Sequence, residues 1–325
     1  MKVLPRMFAP AALALFGAVV PAVGAQTFPA RPVNLVVTVP AGGSIDATAR
    51  ILAADLSPAL GQPVVVVNRP GAGGNLAGEA VARAAPDGHT LMICSSATLT
   101  INPHVYKTMP FDPIRSFEPI IMPARLNLIL AVHPRHAVNS VQEFVSVLRA
   151  QPDKLGYSSS GNGSNPQLAG VLFGLQTGTS ALHVPFSGIA PALNALLSGQ
   201  VDFMFDSATS IPHVQAGKLR ALAVIGPTRL PLLPSVPTLT EMGYADMPIA
   251  NGFYAVVATA GTPREVVRRL NAEMVRILKQ PSVMDRIANM GLVNTTSTPE
   301  ELGAAIRDDL QRLGPIIKAA KITLQ

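Results

Sequence analysis

The chain has no tryptophan, a single cysteine and no run of lysines and arginines. One cysteine, Cys94, rules out a disulfide within the chain. Its place after the apolar run Leu91-Met92-Ile93 reads as a small buried hydrophobe rather than a catalytic thiol. The 25 Lys and Arg against 19 Asp and Glu leave only a mild positive excess. No nucleic-acid or membrane-surface footprint is present. Six histidines are scattered at 89, 104, 133, 136, 183 and 213, and none falls in a metal-ligand spacing. His133 and His136 flank Pro134 in a loop and make a poor metal pair. There is no Gly-x-Ser-x-Gly elbow, no Gly-Lys-Ser/Thr after a glycine loop and no dinucleotide fingerprint. These absences disfavour a metal, a nucleotide or another cofactor, and they leave no obvious reaction centre.

What is present begins with a leader. Lys2 and Arg6 precede the apolar core Ala9–Val20, and Val23-Gly24-Ala25 places small residues where a signal peptidase cuts. The core is shorter than the ~20 residues of a membrane span. The expectation is an exported protein starting near Gln26, long enough for two lobes.

The stretch that organises the rest is Val33–Leu60. Leu35–Val39 is a short branched run suited to a buried strand, broken by Pro40-Ala41-Gly42-Gly43. Ser44 follows as a candidate N-cap, with Asp46 in the first helical turn and Ile45, Ala49, Leu52 and Leu56 on one apolar face. Such a strand, glycine turn and helix leaves backbone N–H groups at a helix N-terminus, a ready anion site. Alone, this is also what an ordinary βα turn looks like, but the device returns. Ser158–Gly163 follows a short strand and leads to Ser164 as N-cap with Asn165 and Pro166 behind it; His183–Gly188 precedes the helix Ile189–Leu197. The loop at 158–164 carries hydroxyls and glycines but no charge.

Further strands are expected at Pro63–Asn68, before the glycine-rich Arg69–Asn75, and at Thr90–Cys94, ending in the hydroxyl pair Ser95 and Ser96. In open α/β sheets that edge is where ligands bind. Alternating strands and helices predict mostly parallel sheets. Leu128–Val132 crosses into a segment with its own start signal, the capping box Ser140–Glu143. Val201–Phe205 is a strand with Asp206 and Ser207 at its end. Asp206 stands there either to bind a ligand amine or hydroxyl or to cap a neighbouring turn. The strand Gly252–Ala258 returns to the first lobe, giving two crossings able to act as a hinge. Thr262–Glu265 and Thr298–Glu301 each place Thr at a helix N-cap. Neutral donors spread over two lobes suit reversible capture of a small anion between them.

Several stretches together resemble the periplasmic solute receptors of tripartite tricarboxylate transporters, the Bug family. They are Phe28–Pro32, Pro40–Asp46, Gly61–Asn75, Ala85–Leu91, His183–Gly188, Gly199–Asp206, Ser235–Gly243 and Gly261-Thr262-Pro263, and they run through nearly the whole chain. The resemblance implies a two-lobed type II periplasmic-binding-protein fold. Residues 1–25 would be the leader, 26–125 with 252–325 one lobe, and 126–251 the other. It implies a carboxylate held in the cleft by Gly42, Gly43, Ser44 and Asp46 from one lobe and by Ser159, Gly161, Gly163 and Ser164 from the other. Ser95, Ser96, Asn165 and Asp206 complete the candidate set. The implied partners are the permease subunits of such a transporter or a sensor protein, with a monomeric receptor in the periplasm. Two positions depart from the family pattern: Gln167 stands where His precedes the helix leucine, and Thr259-Ala260 where Ala-Pro is common. The reading from another class is a secreted hydrolase with Ser164 or Ser95 as nucleophile, which requires a histidine within reach of that hydroxyl. A scaffold with an empty cleft is the third.

Overall fold

The computed structural model describes residues 28–206, 209–226, 228–245, 247 and 252–319. The leader and Ser207 lie outside these. The first sheet has the order β11-β4-β10-β3-β1-β2 and the second β7-β6-β8-β5-β9. In chain order the strands are β1 (Val33–Val37), β2 (Val64–Asn68), β3 (Thr90–Ser95), β4 (Phe117–Leu126), β5 (Leu128–Val132) and β6 (Gly156–Ser159). They continue with β7 (Leu182–Pro185), β8 (Phe203–Asp206), β9 (Arg220–Ile225), β10 (Phe253–Thr259) and β11 (Leu292–Asn294). The helices are α1 (Ser44–Leu60), α2 (Asn75–Ala82), α3 (Ser96–Thr100), α4 (Asn102–Val105), α5 (Val141–Ala150) and α6 (Asn165–Thr177). After them come α7 (Ile189–Leu197), α8 (Ile211–Gln215), α9 (Arg264–Leu278), α10 (Pro281–Ala288) and α11 (Pro299–Ala319).

Both sheets are mostly parallel, as expected, with a minority of reversed strands: four of six strands in the first and four of five in the second run one way. β1, β2 and β3 run parallel, as do β6, β7 and β8. β10 is antiparallel to β3, and β5 is antiparallel to β8. The reason is the crossings. β5 and β10 are the strands by which the chain enters each sheet from the other, so they start at the edge that the parallel strands run toward. Only one residue, Asn127, separates β4 in the first sheet from β5 in the second.

Period-two side chains bury both faces of the first sheet. Leu35, Val37, Leu91, Ile93, Val256 and Ala258 pack with α1 and α9, while Val36, Met92, Cys94, Ala255 and Val257 pack with α2 and α11. Cys94 is fully buried, and burial pushes its thiol up, as befits a packing residue. Helix α11 ties the two halves together. Leu302 and Ile306 belong to the cluster under the first sheet, whereas Leu313 and Ile317 join Leu130, Phe144, Phe173 and Phe203 of the second.

Helix starts follow the expected chemistry with two exceptions. Ser140 accepts from the Glu143 N–H at 3.1 Å, and Thr298 and Glu301 cap each other at 3.1 and 2.8 Å. Thr262 instead donates to the Thr259 carbonyl at 2.7 Å, and Pro263 holds the N-cap position of α9. Ser44 is the first residue of α1 rather than its cap; Gly43 is the cap, and no side chain caps that end.

The second glycine loop packs too tightly for side chains. Gly74 has φ +95°, and an added Cβ would lie 2.7 Å from Thr98 Oγ1 and 3.0 Å from Thr38 Cβ. Gly42 has φ +94° with nothing within 4 Å. Gly74→Ala is therefore expected to cost about 3 kcal/mol, strain plus overpacking, and Gly42→Ala only the strain of about 1 kcal/mol. Urea unfolding of both variants measures the difference, and equal losses would contradict this packing.

Candidate ligand-binding cleft

The loops after parallel neighbours must lie at one edge of their sheet. In the first sheet that edge carries Pro40–Gly43 after β1, Arg69–Gly74 after β2 and Ser95-Ser96 at the end of β3. In the second it carries Ser160–Ser164 after β6, Phe186–Gly188 after β7 and Asp206 at the end of β8. Tyr254 pairs with Ser95 near the start of β10, so it stands at the same edge as Ser95.

Asp46 holds the first turn from behind. Its buried carboxylate accepts from the Gly42 N–H at 3.0 Å, from Arg50 Nε and Nη2 at 2.9 and 3.0 Å, and from Asn68 Nδ2 at 2.9 Å. Asn68 also donates to the Val39 carbonyl at 3.1 Å, clamping the strand end that feeds the turn. Burial pushes the Asp46 carboxyl up, but Arg50, the Gly42 N–H and Asn68 outweigh it and hold the group below 3.8. Asp46 is thus engaged with the turn's own frame. Ser44 turns the other way, its hydroxyl 2.6 Å from the Tyr254 hydroxyl. Tyr254 is buried, and both burial and the charge of Asp206 raise its phenol against the opposing bond from Ser44. The phenol of Tyr254, on the first sheet, thus lies within reach of the charge of Asp206 on the second. Tyr254 did not stand out in the sequence; a lone phenol in an otherwise apolar strand is the signal that marks it.

The second turn is held by a chain of side chains. The Gly163 N–H donates to Gln167 Oε1 at 2.7 Å, and Gln167 Nε2 lies 3.2 Å from His183 Nδ1. His183 Nε2 is 2.7 Å from Ser159 Oγ, which donates to the Gly161 carbonyl at 3.0 Å. A backbone N–H can only donate, so Gln167 must present its oxygen to Gly163 and its NH2 to His183. His183 Nδ1 then accepts, its proton sits on Nε2, and Ser159 receives it. Burial pushes the imidazole down from 6.5 to about 4, which keeps it neutral. Gln167 and His183 were not among the candidate residues, because their partnership spans α6 and β7 and neither motif reveals it.

Ser164 caps α6 weakly, 3.5 Å from the Gln167 N–H, and donates to the Gly161 carbonyl at 2.6 Å. Ser95 Oγ donates to Asn165 Oδ1 at 3.0 Å and accepts from the Ala97 N–H at 3.3 Å, which joins the first sheet's edge to the first residue of α6. Ser96 is buried and accepts from the Phe253 N–H at 3.3 Å. Asp206 is fully buried; it accepts from Thr209 Oγ1 at 2.9 Å and from the Ser210 N–H at 2.5 Å, so it organises its own turn. Among the described residues, the hydrogen-bond partners of the Ser164 and Ser95 hydroxyls include no histidine. Ser159 with His183, the Ser–His pair among the described residues of these turns, has the imidazole proton pointed at the serine, the reverse of what a general base needs.

The frame around Asp46 gives a test. Asp46→Ala removes a charge-assisted set and is expected to cost about 2 kcal/mol at pH 7. A carboxyl held below its ordinary value stabilises fully above 3.8, and this contribution is lost as pH falls through the folded value. The gap between wild type and variant should therefore close below pH 3.8 in acid-unfolding curves, and a gap that persists there would contradict the assignment.

A family model described as the tripartite tricarboxylate transporter family receptor matches residues 48–322. The chain is 34% identical over 298 residues to the protein BugT of Bordetella pertussis, covering 91% of each. It is similar to Rpa4515 of R. palustris, solved with adipate, at 34% identity and a TM-score of 0.85 over 91% of this chain and 99% of that one. It is also similar to MatC of Rhodopseudomonas palustris, solved with bound malate, at 31% identity and a TM-score of 0.81 over 89% of this chain and 100% of that one. The mixed sheets flanked by helices are the two lobes of a periplasmic-binding-protein fold. With its cleft-edge turns on both sheets, this chain belongs to the receptor family of the tripartite tricarboxylate transporters.

Proposed function

We propose that this chain is a periplasmic receptor that captures a small carboxylate between its lobes and delivers it unchanged to the permease of a tripartite transporter. The observation that carries this reading is the pair of turns at 40–44 and 160–164. Each comes from a different sheet, opens a helix and contains no Lys or Arg. Helix N-termini leave N–H donors for an anion, and a carboxylate shared between two such ends gains several charge-assisted bonds on closure. The adipate and malate of the two solved relatives favour a dicarboxylate.

In this reading the lobes are residues 26–125 with 252–325, and 126–251, hinged at the two crossings. Gly42, Gly43 and Ser44 face Gly161, Gly163, Ser164 and Asn165 across the ligand. Asp46 and Ser159 support their turns, and Ser95, Asp206 and Tyr254 line the floor. The leader directs export, and the receptor works as a monomer. Binding without chemistry accords with hydroxyls whose protons go to carbonyl and amide oxygens rather than to a base.

Two measurements follow. In a thermal-shift panel of small carboxylates on refolded protein, a ligand at a hundred times its Kd adds about 2.7 kcal/mol, a rise of roughly 5–10 °C for lobes of this size. A flat panel, or a compound that is consumed, would overturn the proposal. Ser164→Ala should weaken the best ligand by about 1 kcal/mol or more in calorimetry. Unchanged affinity would remove that turn from the site.

A further inference from the structure

The chain of hydrogen bonds behind the second turn has only one consistent direction. It runs from the Gly163 N–H through Gln167, His183 and Ser159 to the Gly161 carbonyl, so both its ends lie in the glycine turn itself. Every link has one donor and one acceptor. A second proton on His183 would place Nδ1–H against the Gln167 NH2. Flipping the amide would only move the conflict, setting the NH2 against the Gly163 N–H. With both His183 nitrogens protonated, Gln167 cannot keep its contacts to Gly163 and to His183 together, and the tie to the turn is broken.

We propose that Gln167 and His183 are positioning residues that lock the second turn in its anion-holding shape, and that the lock opens when His183 takes up a proton. The inference rests on the receptor reading for its link to ligand. The groups that face His183 are Ser159 and Tyr157 from β6 and Gln167 from α6, with the Tyr157 ring centroid 5.0 Å away. None of them carries a charge at neutral pH, and burial alone lowers the imidazole's affinity for a proton. The neutral amide at 167 also has a reason. A glutamate there would accept from Gly163 and from a protonated His183, but it would set a negative charge behind the turn that is to hold an anion.

The test uses the purified chain, unliganded and with L-malate as the probe. Nuclear magnetic resonance of the unliganded protein should show His183 as the neutral Nε2–H tautomer at pH 7, titrating with a midpoint near pH 4. The Gly163 amide resonance should move with that same midpoint. In Gln167→Glu the midpoint should rise by at least one pH unit. The Nδ1–H tautomer, a Gly163 amide indifferent to the titration, or an unmoved midpoint in Gln167→Glu would each overturn the lock. His183→Gln supplies a second arm with no titrating ring. The ratio of wild-type to His183→Gln affinity for L-malate cancels the probe's own protonation; it should be flat above pH 5.5 and fall at least twofold by pH 4. A ratio constant throughout would overturn the link between lock and ligand. If neither malate nor another carboxylate binds at neutral pH, the receptor reading falls, and the resonance arms still decide the lock.

Discussion

A backbone N–H is a donor that neither rotation nor titration can turn round, and both turns of the cleft are built around that constraint. In each glycine turn one N–H is tied down from behind, Gly42 in the first and Gly163 in the second. The first turn is tied by a charge, the Asp46 carboxylate, which is balanced by Arg50 and Asn68. The second is tied by a neutral chain through Gln167 and His183 to Ser159. The two solutions reach the same end: a turn held from behind with no net charge beside it.

The sheet topology places each turn at the C-terminal edge of its sheet's parallel strands. Loops after β1, β2 and β3 share one edge, and loops after β6, β7 and β8 share the other, because each trio is parallel. The entering strands β5 and β10 begin at those edges and run away from them. That is why Tyr254 stands beside Ser44. Helix α11 adds a constraint on lobe motion. Its Leu302 and Ile306 are rooted under the first sheet and its Leu313 and Ile317 in the cluster of the second. Any rotation of one half against the other has to carry that packing with it, in addition to the two chain crossings.

Much of this was legible in the sequence because local rules write it there. Glycine turns between a branched strand and an apolar helix, capping residues at Ser140, Ser164 and Thr298, and the continuous apolar runs of β1 and β3 that bury both faces all follow from local sequence. What was not legible lies between elements distant in the chain. Ser44 looks like an N-cap until Tyr254, 210 residues away, takes its hydroxyl. Gln167 looks like a family exception until His183 arrives from the next strand. The reversed strands depend on where the chain crosses between sheets, which composition and periodicity do not record. Asp206, read evenly as ligand partner or turn cap, makes the capping contacts to Thr209 and Ser210.

The measurement that tests the central claim most directly is a crystal structure of the protein grown with a dicarboxylate such as malate or adipate. The account predicts one carboxylate bridging the two turns, its oxygens within hydrogen-bond distance of N–H groups at Gly42–Ser44 on one side and at Gly161–Asn165 on the other. No Arg or Lys side chain should be in contact with that carboxylate. A ligand seated on a cationic side chain elsewhere, with both glycine turns in contact only with solvent, would contradict it.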